Sequence, residues 1–265
     1  MSNIVTWSIV NNEISFIKDI VDFHLPWVDA MYILDTGSTD GTLEYLKDAA
    51  LINDRLIVEE YPIKYTTQYE VNWHEMSDPF PEVVVRNFAI NRAEWLASPE
   101  WLIQLDGDEV FLPETRGVIE KNNKYTCIGH STINPVASLE EHPNELRGGY
   151  NLYDPHVRIW KANKDIFYME NPYFKGHQYH CNPTFEKTQT HLFHHPQIKF
   201  TDLPIMYHLH WMYGNKMESF FKKKNITNKK DIIASQTTNK YSANLPEFFW
   251  NKRNDWIDDN EGLII

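Results

Sequence analysis

An α/β fold with a mostly parallel central sheet is what this sequence predicts, on three observations. Strand-like and helix-like segments alternate four times within about the first 110 residues. Two of the strand-like segments run into acidic, glycine-bearing clusters, Asp35 to Thr42 and Asp106 to Glu109. The chain has 265 residues, 42% of them hydrophobic and 23% charged, enough to bury apolar layers under helices on both faces of such a sheet.

The elements follow in order. Ile4 to Val10 is rich in β-branched residues and stops at Asn11-Asn12, as a buried strand stops at a polar turn. Ser15 to Leu25 places Phe16, Ile17, Ile20, Val21 and Phe23 at near-helical spacing and ends before Pro26, which disfavours helix in the residue ahead of it. Ala30 to Leu34 is a second strand, and Asp35 to Thr42 has the chemistry of a strand-to-helix turn. There Gly37 and Gly41 permit unusual backbone angles, and Ser38, Thr39 or Asp40 can cap the helix that runs to about Ala50. Arg55 to Glu59 is a third strand. After an aromatic and proline-bearing stretch, Tyr61 to Pro81, a helix over Glu82 to Leu96 leads to the strand Trp101 to Leu105. The rest is less regular, with strands expected at Tyr125 to Gly129, Val157 to Trp160 and Ile205 to Trp211, and a helix from Asn215 to Lys224.

Composition excludes several classes. With 25 Lys plus Arg against 37 Asp plus Glu, the net charge of −12 repels phosphate backbones and argues against nucleic acid as a partner. The charge is uneven: residues 1–120 carry 7 basic and 22 acidic side chains, a net of −15, and residues 121–265 a net of +3. Two cysteines, Cys127 and Cys181, do not make a disulfide framework or a thiolate zinc site. No stretch approaches the roughly 18 uninterrupted apolar residues of a membrane span, and the expectation is a cytoplasmic protein. The Asp35 cluster lacks the Gly-Lys-Ser/Thr ending of a P-loop, and no Gly-x-Gly-x-x-Gly occurs, which withdraws support from P-loop hydrolysis and nicotinamide chemistry.

Asp106-Gly107-Asp108 is the most informative short segment. Two carboxylates flanking a glycine, just after a buried strand, project where a hard divalent cation can bridge carboxylate and phosphate oxygens. Ligands of open α/β sheets bind at the carboxyl ends of the strands, where both acidic clusters lie. Histidine is concentrated late in the chain, with seven of 12 between His177 and His210. On a strand, His208 and His210 would share a face, and of the two His208 is favoured as a metal ligand.

Three ordered motifs, Asn11-Asn12-Glu13 after a strand, DTGSTDGT at 35–42, and RNFAINRAEWL at 86–96 leading to WLIQLDGDE at 101–109, together resemble the inverting family 2 glycosyltransferases of the GT-A fold. That fold is Rossmann-like, with a mostly parallel central sheet and helices on both faces. The resemblance covers residues 4–110 and implies a metal-dependent, inverting transferase. Its donor would be a UDP-, GDP- or dTDP-linked sugar, its acceptor a glycan or glycoconjugate hydroxyl, and its cofactor Mn²⁺ or Mg²⁺. It implies nucleotide contacts from Val10, Asn11, Asp35, Arg86 and Asp106, with Asp106 toward ribose, and metal ligation by Asp108 and a late histidine, His208. One departure is Asp35-Thr36 where the family commonly has two aspartates, and residues 61–81 fall where the family is usually shorter.

On this basis residues 1–120 form the nucleotide-sugar and metal half of a single domain, 121–214 an irregular acceptor-side half, and 215–265 a helical extension. Glu170 is the expected catalytic base, with Asp154 and Glu186 as alternatives. The residues themselves leave open a nucleotidyltransferase or metal-assisted phosphohydrolase, and a non-enzymatic carbohydrate-binding module.

Overall fold

The computed structural model describes residues 2–62, 82–139, 142–151, 157–162, 165–169, 182–185, 190–191, 195–209, 240–242 and 249. Its first half runs β1 (Ile4–Val10), α1 (Ile14–His24), β2 (Ala30–Asp35), α2 (Thr42–Ile52), β3 (Leu56–Glu60), α3 (Glu82–Ala97) and β4 (Trp101–Gln104). The alternation expected from the sequence is therefore present, with boundaries within one or two residues. After it come β5 (Glu109–Phe111), α4 (Glu114–Lys121), β6 (Cys127–Leu139), β7 (His142–Asn151), β8 (Ile159–Lys161), β9 (Ile166–Met169), β10 (Asn182–Phe185), β11 (Thr190–His191), β12 (Ile198–His208) and β13 (Lys240–Ser242).

The main sheet follows the order β13-β7-β6-β8-β4-β1-β2-β3, with β12 bridging β5 and β6. The four strands β3, β2, β1 and β4 are mutually parallel, and β12 is parallel to β6. Pairing turns antiparallel at β4 with β8 and stays so through β6, β7 and β13. A separate antiparallel sheet has the order β11-β10-β9.

Alternate residues of the central strands sort into two cores. Ile4 and Val10 of β1, with Met31 and Ile33 of β2, pack with Phe16, Ile17 and Ile20 of α1 and Leu46 of α2. Val5 and Trp7, with Tyr32 and Leu34, face the other way, against Val85, Ala89, Ile90 and Ala93 of α3. That period-two sorting puts helices on both faces, and it explains why these strands are largely apolar, with Thr6 and Ser8 of β1 the buried polar exceptions. Among the described residues, no helix is long and apolar enough to cross a membrane.

The later elements depart from expectation in length. β6 starts at Cys127 and continues ten residues past the expected end at Gly129, to Leu139; β12 starts at Ile198, well before Ile205, and ends at His208. The helix expected at 215–224 lies outside the described residues, as do His210 and the 63–81 stretch.

One buried histidine ties the first half to β5. Phe111 N–H donates to His24 Nε2 at 3.0 Å, which leaves the ring proton on Nδ1 to donate to Ile20 O at 2.7 Å. Burial lowers His24 from 6.5 to about 4, against a smaller opposing effect of the Ile20 bond. Because the folded value lies below the unfolded one, acid favours the unfolded chain. Stability is unaffected above about pH 6.5 and is lost as pH falls from there toward about 4, by up to ~3 kcal/mol at roughly 1.4 kcal/mol per pH unit. Urea midpoints at pH 7 and pH 4.5 test this: the drop should be visibly smaller in His24→Gln, and an equal drop in both proteins would count against it.

Candidate functional site

The parallel register aligns the carboxyl ends of three strands. Val10 pairs with Asp35 across β1 and β2, and Trp7 with Gln104 across β1 and β4, so the turns after Val10, Asp35 and Gln104 open on the same end of the sheet.

The first two turns interlock through polar groups. Val10 O accepts both the Thr36 N–H at 3.0 Å and the Thr36 hydroxyl at 3.1 Å, and Asn11 Nδ2 donates to Thr36 Oγ1 at 3.3 Å. Asn12 takes a left-handed φ of 57°, a conformation asparagine tolerates better than most residues, and its N–H donates to Ser38 Oγ at 2.9 Å. Gly41, at φ 98°, caps α2, and the neighbouring Asp40 Oδ1 accepts the Thr42 N–H at 3.0 Å. Asp35 is 1% exposed. Its Oδ1 accepts the Gly37 and Ser38 N–H groups at 2.8 and 2.9 Å, while Oδ2 is buried without a hydrogen-bond partner among the described residues. A buried carboxylate oxygen left in that state is costly, and a ligand N–H or O–H would satisfy it.

The third turn meets the first. A Cβ added at Gly107 would lie 2.8 Å from Glu13 Cγ, so this approach requires glycine. Asp106 is held from several sides. Gln104 Nε2 donates to Oδ1 at 3.2 Å, Arg158 Nη2 lies 3.2 Å from Oδ2, and Arg86 Nη1 lies 3.6 Å from Oδ1. Burial pushes the Asp106 carboxyl up, but the Arg158 and Arg86 guanidiniums outweigh it and bring it down to about 2, so it is ionised at any ordinary pH. Glu109, fully buried, accepts the Asp106 N–H at 3.0 Å through Oε2 and Arg158 Nη2 at 2.7 Å through Oε1. Burial raises Glu109 to about 7; Arg158 opposes that shift and the Asp106 charge reinforces it.

Asp108 and His208 come together because β12 pairs antiparallel with β5, His208 opposite Glu109, and because Leu209 N–H donates to Asp108 O at 2.7 Å. His208 Nε2 lies 3.5 Å from Asp108 Oδ1. Burial alone would lower His208, but the Asp108 carboxylate, with Glu109 beyond it, raises it to about 9. A cation bound here would require the neutral imidazole as its ligand.

Among the described residues, no group of three or more His, Cys, Asp or Glu side chains is arranged to hold a metal ion. Asp106 is engaged by two guanidiniums and an amide, and Asp108 and His208 are paired with each other, so a cation here would take the place of the His208 proton between them. Such a pair fits Mn²⁺ or Mg²⁺ when phosphate and water oxygens complete the shell, since Mg²⁺ in particular is usually held by one or two carboxylates plus substrate phosphates.

Of the expected nucleotide residues, Val10, Asn11, Asp35, Arg86 and Asp106 all sit at this end of the sheet or point to it. Arg86 reaches Asp106 from α3 with its guanidinium 5.3 Å from the centre of the Tyr168 ring. Glu170, Asp154 and Glu186 lie outside the described residues, as does the lysine cluster from Lys216 to Lys230. Sequence reasoning overlooked Arg158 as a counter-ion, Glu109 as its partner, and Gln104 and Tyr168 as supports. The available signal was a single arginine inside the apolar strand segment Val157 to Trp160.

No family model and no curated protein matches the chain. Among solved structures, it is similar to residues 1–349 of S. aureus TarS, at 14% identity over 98% of this chain and 72% of that one, with a TM-score of 0.49. It is also similar to the mannosyltransferase PcManGT from Pyrobaculum calidifontis, in complex with GDP-Man and Mn²⁺, at 17% identity over 52% of this chain and 36% of that one, with a TM-score of 0.33.

Proposed function

We propose that the chain is a GT-A glycosyltransferase, metal-dependent and inverting, which moves a sugar from a nucleotide-linked donor to a hydroxyl of a glycan or glycoconjugate. The observation that carries this reading is the meeting of two different devices at one end of the sheet. One is Asp35, whose buried Oδ2 has no partner among the described residues; the other is the turn from Asp106 to Glu109 with His208 beside it. The first suits a nucleoside, which offers N–H and O–H donors, and the second suits a diphosphate, which needs a cation.

In this reading Val10, Asn11 and Asp35 hold the nucleoside. Asp106, ionised and fixed by Arg86, Arg158 and Gln104, accepts hydrogen bonds from ribose hydroxyls. Asp108 and His208 hold Mn²⁺ or Mg²⁺, which when bound offsets the negative charge that grows on the departing diphosphate. Arg86 supplies further positive charge on the same side. Glu170, directly after β9, takes the proton of the acceptor hydroxyl as that oxygen bonds to the anomeric carbon and the bond to diphosphate breaks. Attack from the face opposite the leaving group inverts the anomeric centre.

Incubating the purified protein with UDP-, GDP- and dTDP-sugars and Mn²⁺ tests the proposal. Release of nucleoside diphosphate is the expected result. Release of monophosphate or pyrophosphate would instead assign a phosphohydrolase or nucleotidyltransferase.

A further inference from the structure

Two adjacent residues of α3 are the ends of a closed polar ring. Arg86 lies 3.6 Å from Asp106 Oδ1, which accepts Gln104 Nε2 at 3.2 Å. Gln104 Oε1 in turn accepts the Tyr168 hydroxyl. Tyr168 returns the ring to α3, because its backbone N–H donates to Asn87 Oδ1 at 2.7 Å and its carbonyl accepts Asn87 Nδ2 at 3.0 Å. Asn87 thus bonds to the edge of β9 as a strand residue would, while the Tyr168 ring packs edge-on to Trp7 at 6.0 Å and lies under the Arg86 guanidinium.

The ring fixes which way the Gln104 amide points. An amide has one accepting and one donating end, and the ionised Asp106 requires the donor. The Tyr168 hydroxyl donates to the accepting end, so both ends of the amide are engaged and Nε2 is held toward Asp106. Without that hydroxyl Oε1 loses its partner in a buried place, and the Gln104 side chain can leave the position in which its Nε2 meets Asp106. Gln104 and Tyr168 are both about 2% exposed, so water does not readily substitute.

We infer that Tyr168 is a positioning residue for the donor site: through the Gln104 amide it sets the orientation of the Asp106 carboxylate, and this rests on the reading of Asp106 as a donor contact. Tyr168→Phe tests it, since phenylalanine keeps the ring beneath Arg86, the packing on Trp7 and the backbone bonds to Asn87. Binding of UDP, GDP and dTDP, each with Mn²⁺, is measured by calorimetry on wild type, Tyr168→Phe, Asp106→Asn and the double variant.

The expected result is roughly tenfold weaker nucleotide binding in Tyr168→Phe, the scale of one hydrogen bond to a charged group, and no further loss when that change is added to Asp106→Asn. Gln104→Glu is a second probe: it keeps an acceptor for the Tyr168 hydroxyl but sets a charge against Asp106, and should weaken binding at least as much. Wild-type affinity in Tyr168→Phe, or the same tenfold loss in the Asp106→Asn background, overturns the inference while leaving the donor site intact. Failure of the wild-type protein to bind any of the three nucleotides overturns the donor reading itself, and the inference with it.

Discussion

Replacing Asp108 with alanine should abolish Mn²⁺-dependent nucleotide binding and lower kcat/KM by about 1,000-fold or more, the largest effect expected of any single change in this chain. Its side chain is 5% exposed and sits where β5 and β12 converge, 3.5 Å from His208 Nε2. Its neighbouring carboxyl groups are held by other partners. Asp106 is engaged by Arg158, Arg86 and Gln104, and Glu109 by Arg158 and the Asp106 N–H. Removing the carboxylate therefore removes the anionic ligand that this reading gives the cation. Folding should survive better than function, because the strand contacts at this position run through the Asp108 carbonyl, which accepts the Leu209 N–H and does not depend on the side chain. The measurement is nucleotide affinity with and without Mn²⁺, alongside a thermal unfolding curve. A variant that unfolds like wild type yet retains metal-dependent binding and turnover would refute the assignment of Asp108.

The first half of this site was legible because local chemistry dictates it. A buried parallel strand must be apolar on both faces, and Ile4 to Val10, Ala30 to Asp35 and Trp101 to Gln104 are nearly so. The turns that end them need small and polar residues with permissive backbones, which Asn12, Gly37 and Gly41 provide. The second half was not legible, because its strands carry residues that signal turns. β6 contains Pro135, β7 contains Pro143, Gly148 and Gly149, and β12 contains Asp202 and Pro204. The β12–β6 register shifts between Phe200 and Pro204 and again between Pro204 and Met206, so the strand is irregular where its sequence looked broken. Long-range pairing overrides local propensity there. The same pairing brings His208 to Asp108, a proximity that spacing along the chain does not encode. Reading His208 as a ligand relied on resemblance and on strand parity with His210, which lies outside the described residues.

The counter-ion Arg158 is the other consequence of that pairing, and its removal should give the largest loss of stability. β8 lies antiparallel to β4, with Ile103 opposite Ile159, and Gln104 N–H donates to Arg158 O at 2.8 Å, so the arginine enters the site beside the turn it neutralises. One Nη2 serves two carboxylates, Glu109 at 2.7 Å and Asp106 at 3.2 Å, and the Arg158 side chain is 14% exposed against 1% for Glu109. Arg158→Met takes their shared cation from both carboxyl groups, leaving Asp106 with Arg86 at 3.6 Å and pushing the buried Glu109 above about 7 toward its neutral form; breaking a buried pair in this way costs ~3–5 kcal/mol. The loss should depend on the charge left behind. Glu109→Gln removes the carboxyl nearest the guanidinium, so above about pH 7 Arg158→Met should cost less in a Glu109→Gln background than in the wild type, a coupling that a double-mutant cycle on urea midpoints measures directly. Arg158→Lys should recover part of the stability, since one ammonium retains the charge but not the reach and planarity of the guanidinium. If Arg158→Met unfolds within about 1 kcal/mol of wild type, or if its cost is the same with and without the Glu109→Gln change, the guanidinium is not what stabilises the turn. Short of that outcome, the acidity of the first half is tolerated at its most crowded point because a strand from the second half delivers an arginine into it.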